Sequence, residues 1–156
     1  MSVRLHKDQR IDLLRGVDLL SGCTKDQLQQ IAALSTEFDA RAGQVLAEQG
    51  MLGREFFIII EGTATASRNG ILLATLGPTD FFGELALLDG GDRTATVVAE
   101  TDLRLLVLTR AEFNQVCLSY PSVAQRMLAV IGKRLRKADE MLGSEQRSGA
   151  LERLTV

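Results

Sequence analysis

Residues 82–97 read FGELALLDGGDRTATV. One acid, Glu84, and one arginine, Arg93, flank a turn containing Gly90-Gly91, and the hydroxyl of Thr94 follows Arg93 directly. An anion alone would explain Arg93 but would be repelled by Glu84. A ligand with one anionic part and one neutral, hydroxyl-bearing part explains both. FGELALL is poor in β-branched residues, so a short helical turn is expected from Glu84, its free N–H groups aimed outward as an anion cradle. Gly83 permits close approach of the backbone to a ligand. A guanidinium suits two oxygens of a phosphate. A carboxylate only accepts hydrogen bonds, so beside a phosphate it suits a donor such as a ribose hydroxyl. On residue types alone, a sugar-phosphate ligand competes with a simpler alternative, in which Glu84 and Arg93 pair only with each other.

On both sides of this stretch, from Thr36 to Leu108, the chain is a series of short β-prone runs: TEFDAR, QVLAEQ, EFFIII, TATAS, ILLATL, TATVVAE and LRLLVL. Glycines punctuate them, and Asn69-Gly70 is a strong hairpin signal. This texture points to an antiparallel sandwich or barrel. Residues 5–34 read as helical with a break at Ser21-Gly22, and Thr24 is the expected N-cap of a second helix. After Arg110 the helical period returns, first to the residue before Pro121 and then over 122–142. Ala124, Leu128, Ile131, Leu135, Ala138 and Leu142 alternate four-three, as a heptad seam does. The run is shorter than a convincing coiled coil, so packing on its own domain and homodimerisation both stay open. The expected organisation is a helical segment at 1–35, a β domain at 36–109, C-terminal helices at 110–142 and a polar, flexible tail at 143–156.

The 156 residues are 46% apolar and 24% charged, which fits one ordinary globular domain. A net charge of −2 gives no global field to attract nucleic acid or an anionic membrane. The basic run KRLRK at 133–137 reads as the solvated face of an amphipathic helix. No apolar run is long enough to span a membrane, and the N-terminus has no secretory pattern, so a cytoplasmic location is expected. Cys23 and Cys117 lack metal or redox spacing and read as reduced, mostly buried thiols. His6 is the single histidine. That excludes a histidine-built metal centre and a Ser-His-Asp triad, and it argues against a cupin-type enzyme on a jelly-roll barrel.

The stretch resembles the phosphate-binding cassette of the cyclic nucleotide-binding domain family, the type found in catabolite activator proteins and protein kinase A regulatory subunits. The pattern is F-G-E-[LI]-A-L, a short loop, then R-[AST]-A. Phe82, Gly83, Glu84, Leu85, Ala86, Leu87, Arg93, Thr94 and Ala95 match it, placing the cassette at 82–95. The likeness runs from about residue 12 to about 142 and includes AGQVLAEQG and FFIIIEG. It implies a mainly β fold with flanking helices, an eight-stranded antiparallel jelly-roll β-roll with N-terminal helices and a C-terminal helical lid. It implies a non-catalytic sensor of cyclic AMP, or alternatively of cyclic GMP, or a non-binding β-roll used for oligomerisation. Glu84 would accept from the ribose 2′-hydroxyl, with Gly83 and Leu85 beside it. Arg93 would pair with the cyclic phosphate, and Thr94 with the N–H groups of Ala86 and Ala95 would complete its cradle. Ala66 and Leu73 would lie along the base. Three positions depart from the pattern. Asp92 stands where proline is common. Ala138-Asp139 stand where activator proteins place a Thr-Ser pair on the base, which leaves Arg134 or Leu135 to cover it. No helix-turn-helix follows within the 156 residues, so the expected partners are the nucleotide, a second copy through 124–142, or an effector protein.

Overall fold

The computed structural model describes residues 5–84 and 90–145, apart from the side chains of Arg134, Lys137, Ala138 and residues 141–145. Leu85, Ala86 and Leu87 therefore lie outside the described residues. So do the side chains of Arg134, Ala138 and Leu142, and the tail from 146.

Two helices open the chain, α1 (Lys7–Arg15) and α2 (Lys25–Leu34), joined through a 3-10 turn at Asp18–Leu20. Eight strands follow: β1 (Thr36–Ala40), β2 (Val45–Ala47), β3 (Glu55–Glu61), β4 (Ala64–Arg68), β5 (Ile71–Leu76), β6 (Phe81–Phe82), β7 (Thr96–Ala99) and β8 (Leu103–Thr109). Two helices close the described chain, α3 (Arg110–Ser119) and α4 (Pro121–Glu145). The strands form two antiparallel four-stranded sheets, ordered β1-β8-β3-β6 and β2-β7-β4-β5. The eight-stranded β-roll with flanking helices is the architecture expected from the cassette.

The first sheet is covered on both faces, which explains the unbroken apolar runs of β3 and β8. Phe56, Ile58, Ile60, Leu106 and Leu108 face a core shared with the helices. Phe57, Ile59, Leu103, Leu105 and Val107 face the inside of the roll. Each such side chain contributes about 1.5–3 kcal/mol by leaving water.

Local signals account for most boundaries. Thr24 caps α2 by accepting from the Gln27 N–H, and Thr109 caps α3 by accepting from the Glu112 N–H. Asn69 (φ 52°) and Gly70 (φ 78°) turn the β4–β5 hairpin in the left-handed region. Two expected boundaries need correction, and one of the eight strands had no visible run in the sequence. The first helix ends at Arg15 and the backbone becomes extended at Val17, so Val17–Leu20 are not α-helical. Their buried leucines reach the core through the 3-10 turn instead. The two-residue β6 adds an eighth strand to the seven runs visible in sequence. The last helix runs to Glu145, past the expected end at 142.

The heptad seam is divided between two faces. Val123 and Met127 are buried and, with Ile131, pack on the helical core. Leu128 and Leu135 remain 69% and 57% exposed. The main neighbours of α4 are the 3-10 turn and α3.

Candidate functional site

Phe82 ends β6 inside the roll, stacked on Phe57 with ring centroids 4.7 Å apart. Gly83 follows at φ +94°, in the left-handed region. A Cβ there would meet the Arg93 Nη1 at 2.4 Å and the Glu55 carbonyl oxygen at 2.7 Å. Glycine is thus required twice, for its backbone angle and for the approach of the guanidinium. Glu84 is helical and fully buried.

Arg93 reaches this turn because residues 50–52 hold its backbone. The Gly50 N–H donates to the Arg93 carbonyl at 2.9 Å, the Arg93 N–H donates to the Met51 carbonyl at 2.8 Å, and Leu52 bridges Asp92. Its side chain turns inward and is 7% exposed. Nη1 donates to the Gly83 carbonyl at 3.2 Å, and Nη2 to the Glu55 carbonyl at 2.6 Å. The guanidinium carbon lies 5.7 Å from the centre of the Phe57 ring, within cation–π range. Burial pushes the pKa of Arg93 down, while the carboxylates of Glu55 and Glu84 pull it back up. A guanidinium stays protonated under these opposing influences.

The remaining described candidates lie in three places. Ala95 is buried and Thr94 half-buried, directly after Arg93. Ala66 is buried on the inner face of β4, in register with Val97 on one side and Ala74 on the other. Leu73, half-buried on β5, belongs to the same sheet. Leu135 is not brought into a core: it stands exposed on α4.

Two residues of this region were missed in the sequence. Glu55 supplies both the carbonyl that holds Arg93 and the carboxylate that acts most strongly on its charge. Arg68, 7% exposed, donates from Nε to the Thr94 carbonyl at 2.5 Å. The alternation Ala64, Ala66, Arg68 was the available signal for its inward direction.

Chemically, a buried acceptor and a buried guanidinium meet at a glycine turn. Among the described residues, the two bonds from Arg93 to carbonyls leave further guanidinium N–H groups for an anion. The donor set and the close approach at Gly83 fit a sugar phosphate. Among the same residues, no group of three or more His, Cys, Asp or Glu is placed to hold a metal ion. Among the described residues, no helix is long and apolar enough to cross a membrane. Burial pushes both the Cys23 and Cys117 thiols up.

A family model described as cyclic nucleotide-binding domain matches residues 37–120. The Cyclic AMP receptor protein of Thermus thermophilus is 36% identical over 102 residues, 62% of this chain and 47% of that protein. The cGMP-dependent protein kinase egl-4 of Caenorhabditis elegans is 36% identical over 105 residues, 67% of this chain and 14% of the kinase. The crystal structure of the Thermus thermophilus Catabolite Activator Protein superposes with a TM-score of 0.76 at 30% identity, covering 81% of this chain and 62% of that one. The chain thus spans less than half the length of either of these two sequence relatives.

Proposed function

The chain belongs to the cyclic nucleotide-binding domain family, and from that premise we propose that it is a non-catalytic cyclic-nucleotide sensor whose ligand is cyclic AMP. The observation that carries the reading is the meeting of Gly83, buried Glu84 and buried Arg93 at one turn. In this reading Arg93 donates to the cyclic phosphate. Thr94 and the N–H groups of Ala86 and Ala95 complete the phosphate shell. Glu84 accepts from the ribose 2′-hydroxyl, with Gly83 and Leu85 beside it, and Ala66 and Leu73 lie along the base. No bond is made or broken. Binding shifts the population of conformers toward those in which α4 covers the base, through Arg134 or Leu135. Arg134 carries a planar cation suited to stacking on a purine. A cytoplasmic location and a role in signal transduction belong to the same proposal.

Cyclic GMP is the second reading, favoured by the Thr94 hydroxyl, a group able to accept from the guanine amino group. One of the relatives above is named for each nucleotide, so identity does not choose between them. Titration calorimetry of the purified protein decides. We expect saturable one-site binding of both nucleotides, tighter for cyclic AMP. Tighter binding of cyclic GMP replaces the ligand, and heat from neither rejects the sensor in favour of a non-binding oligomerisation module.

Leu128 and Leu135, two positions of the heptad seam, are exposed, and we propose that a second copy covers them, an effector protein being the alternative. The Leu128→Asp/Leu135→Asp double variant is expected to sediment as a monomer with its β-roll intact, because neither side chain belongs to the helical core. A wild-type protein that sediments as a monomer at high concentration, with and without nucleotide, rejects the dimer.

A further inference from the structure

Arg68 has no place in the ligand shell described above, yet it is buried deep in the same region. The burial pattern of β4 alternates, and Ala64, Ala66 and Arg68 share the inward face. The register sets Ser67 against Thr96 and Arg68 against Ile71, so the guanidinium sits beside the first residues of β7. From there its Nε donates to the carbonyl of Thr94, 26 residues away, at 2.5 Å. Thr94 precedes the first residue of β7 by two positions, so the ladder of the sheet does not set its orientation. Two clamps therefore hold the segment. Residues 50 and 51 grip the main chain of Arg93, and Arg68 grips the carbonyl of Thr94.

A peptide unit is planar and trans, so its C=O and N–H point in opposite directions. The unit carrying the Thr94 carbonyl also carries the Ala95 N–H. Turning the carbonyl toward Arg68 turns that N–H away from it. We propose that Arg68 is a positioning residue for the phosphate: its bond to the Thr94 carbonyl aims the Ala95 N–H at one exocyclic oxygen of the cyclic phosphate. The inference rests on the cyclic-nucleotide reading and adds to it a residue that does not touch the ligand. Arginine suits the task because its planar fork has a fixed direction and stays charged when buried.

The test compares wild type, Arg68→Met and Arg68→Lys in binding cyclic AMP and its two diastereomeric phosphorothioates. In each diastereomer sulfur replaces a different exocyclic oxygen. An aimed donor distinguishes them, and a general loosening of the fold does not. Removing a charge-assisted hydrogen bond predicts about tenfold weaker cyclic AMP binding in Arg68→Met, with the preference between diastereomers falling toward unity. Arg68→Lys keeps the charge but donates from a point, so both quantities should fall between. A folded variant with a lowered preference supports the proposal. Wild-type preference in folded Arg68→Met overturns it, even where affinity drops, because that outcome is structural. Should Arg68→Met fail to fold, Arg68→Lys decides by the same criterion. If wild-type protein binds none of the nucleotides, the sensor reading itself falls, an outcome distinct from wild-type binding with unchanged preference in the variants.

Discussion

Arg93→Ala is expected to weaken cyclic AMP binding by about 30-fold or more, since truncating one partner of a buried charged pair costs about 2–5 kcal/mol. The loss has two parts. The phosphate loses its countercharge, and the carbonyls of Gly83 and Glu55 lose their donor. The second part also reduces stability, by roughly 1–3 kcal/mol for a buried group left unsatisfied. A melting curve beside the calorimetric titration separates them: the variant should remain folded at the temperature of the titration, with most of the nucleotide affinity gone. A folded Arg93→Ala protein that binds cyclic AMP like wild type would remove Arg93 from the phosphate site.

Gly83→Ala is expected to be as damaging, for a different reason. The added carbon would stand 2.4 Å from the Arg93 Nη1 and 2.7 Å from the Glu55 carbonyl oxygen. The guanidinium end is able to move; the β3 backbone is not. The positive φ adds strain of about 1–3 kcal/mol for a non-glycine residue. Displacing the guanidinium from the Gly83 carbonyl then removes it from the proposed phosphate position. Weakened nucleotide binding and a lowered melting temperature should appear together. Gly132, inside α4, is the matched control, because a Cβ there meets nothing within 4 Å. Alanine at that position should raise stability by up to about 1 kcal/mol through helix propensity. Equal melting temperatures for Gly83→Ala and wild type would contradict the geometry of the turn.

Much of this was legible in the sequence because the informative patterns are local. The Asn69-Gly70 turn, the Thr24 cap and the β-prone runs EFFIII and LRLLVL depend on neighbours a few residues away. The pairing of Glu84 with Arg93 around a glycine turn is likewise contained in one stretch. What was missed depends on distance along the chain. The residue Arg68 ends a strand of alternating small side chains, and a terminal arginine in a polar turn normally faces water. The alternation Ala64, Ala66, Arg68 points it inward, but its partner, the Thr94 carbonyl 26 residues away, is not encoded in the local pattern. Glu55 holds Arg93 through a backbone carbonyl, a group every residue carries, and its carboxylate lies 38 residues from Arg93 along the chain, so neither gave a local signal. β6 is two residues long and has no periodicity to read. The helical reading ran through Val17–Leu20 because their apolar spacing suits either an α-helix or the 3-10 turn that follows extended Val17.

The strand order has a consequence for how the protein comes into being. β1 has β8 as its sheet neighbour, and β8 is also the strand that joins β1 to β3. During synthesis, residues 36–40 therefore leave the ribosome with no pairing partner, and the first sheet stays open until residues 103–109 follow. The β4–β5 hairpin, closed by Asn69-Gly70, has no such wait. Long-range strand pairing carries the entropy of closing the intervening loop before any contact rewards it. The nascent chain thus forms its hairpin early and its helix-facing sheet late. In that interval the apolar β3, central in the finished sheet, lacks its β8 neighbour.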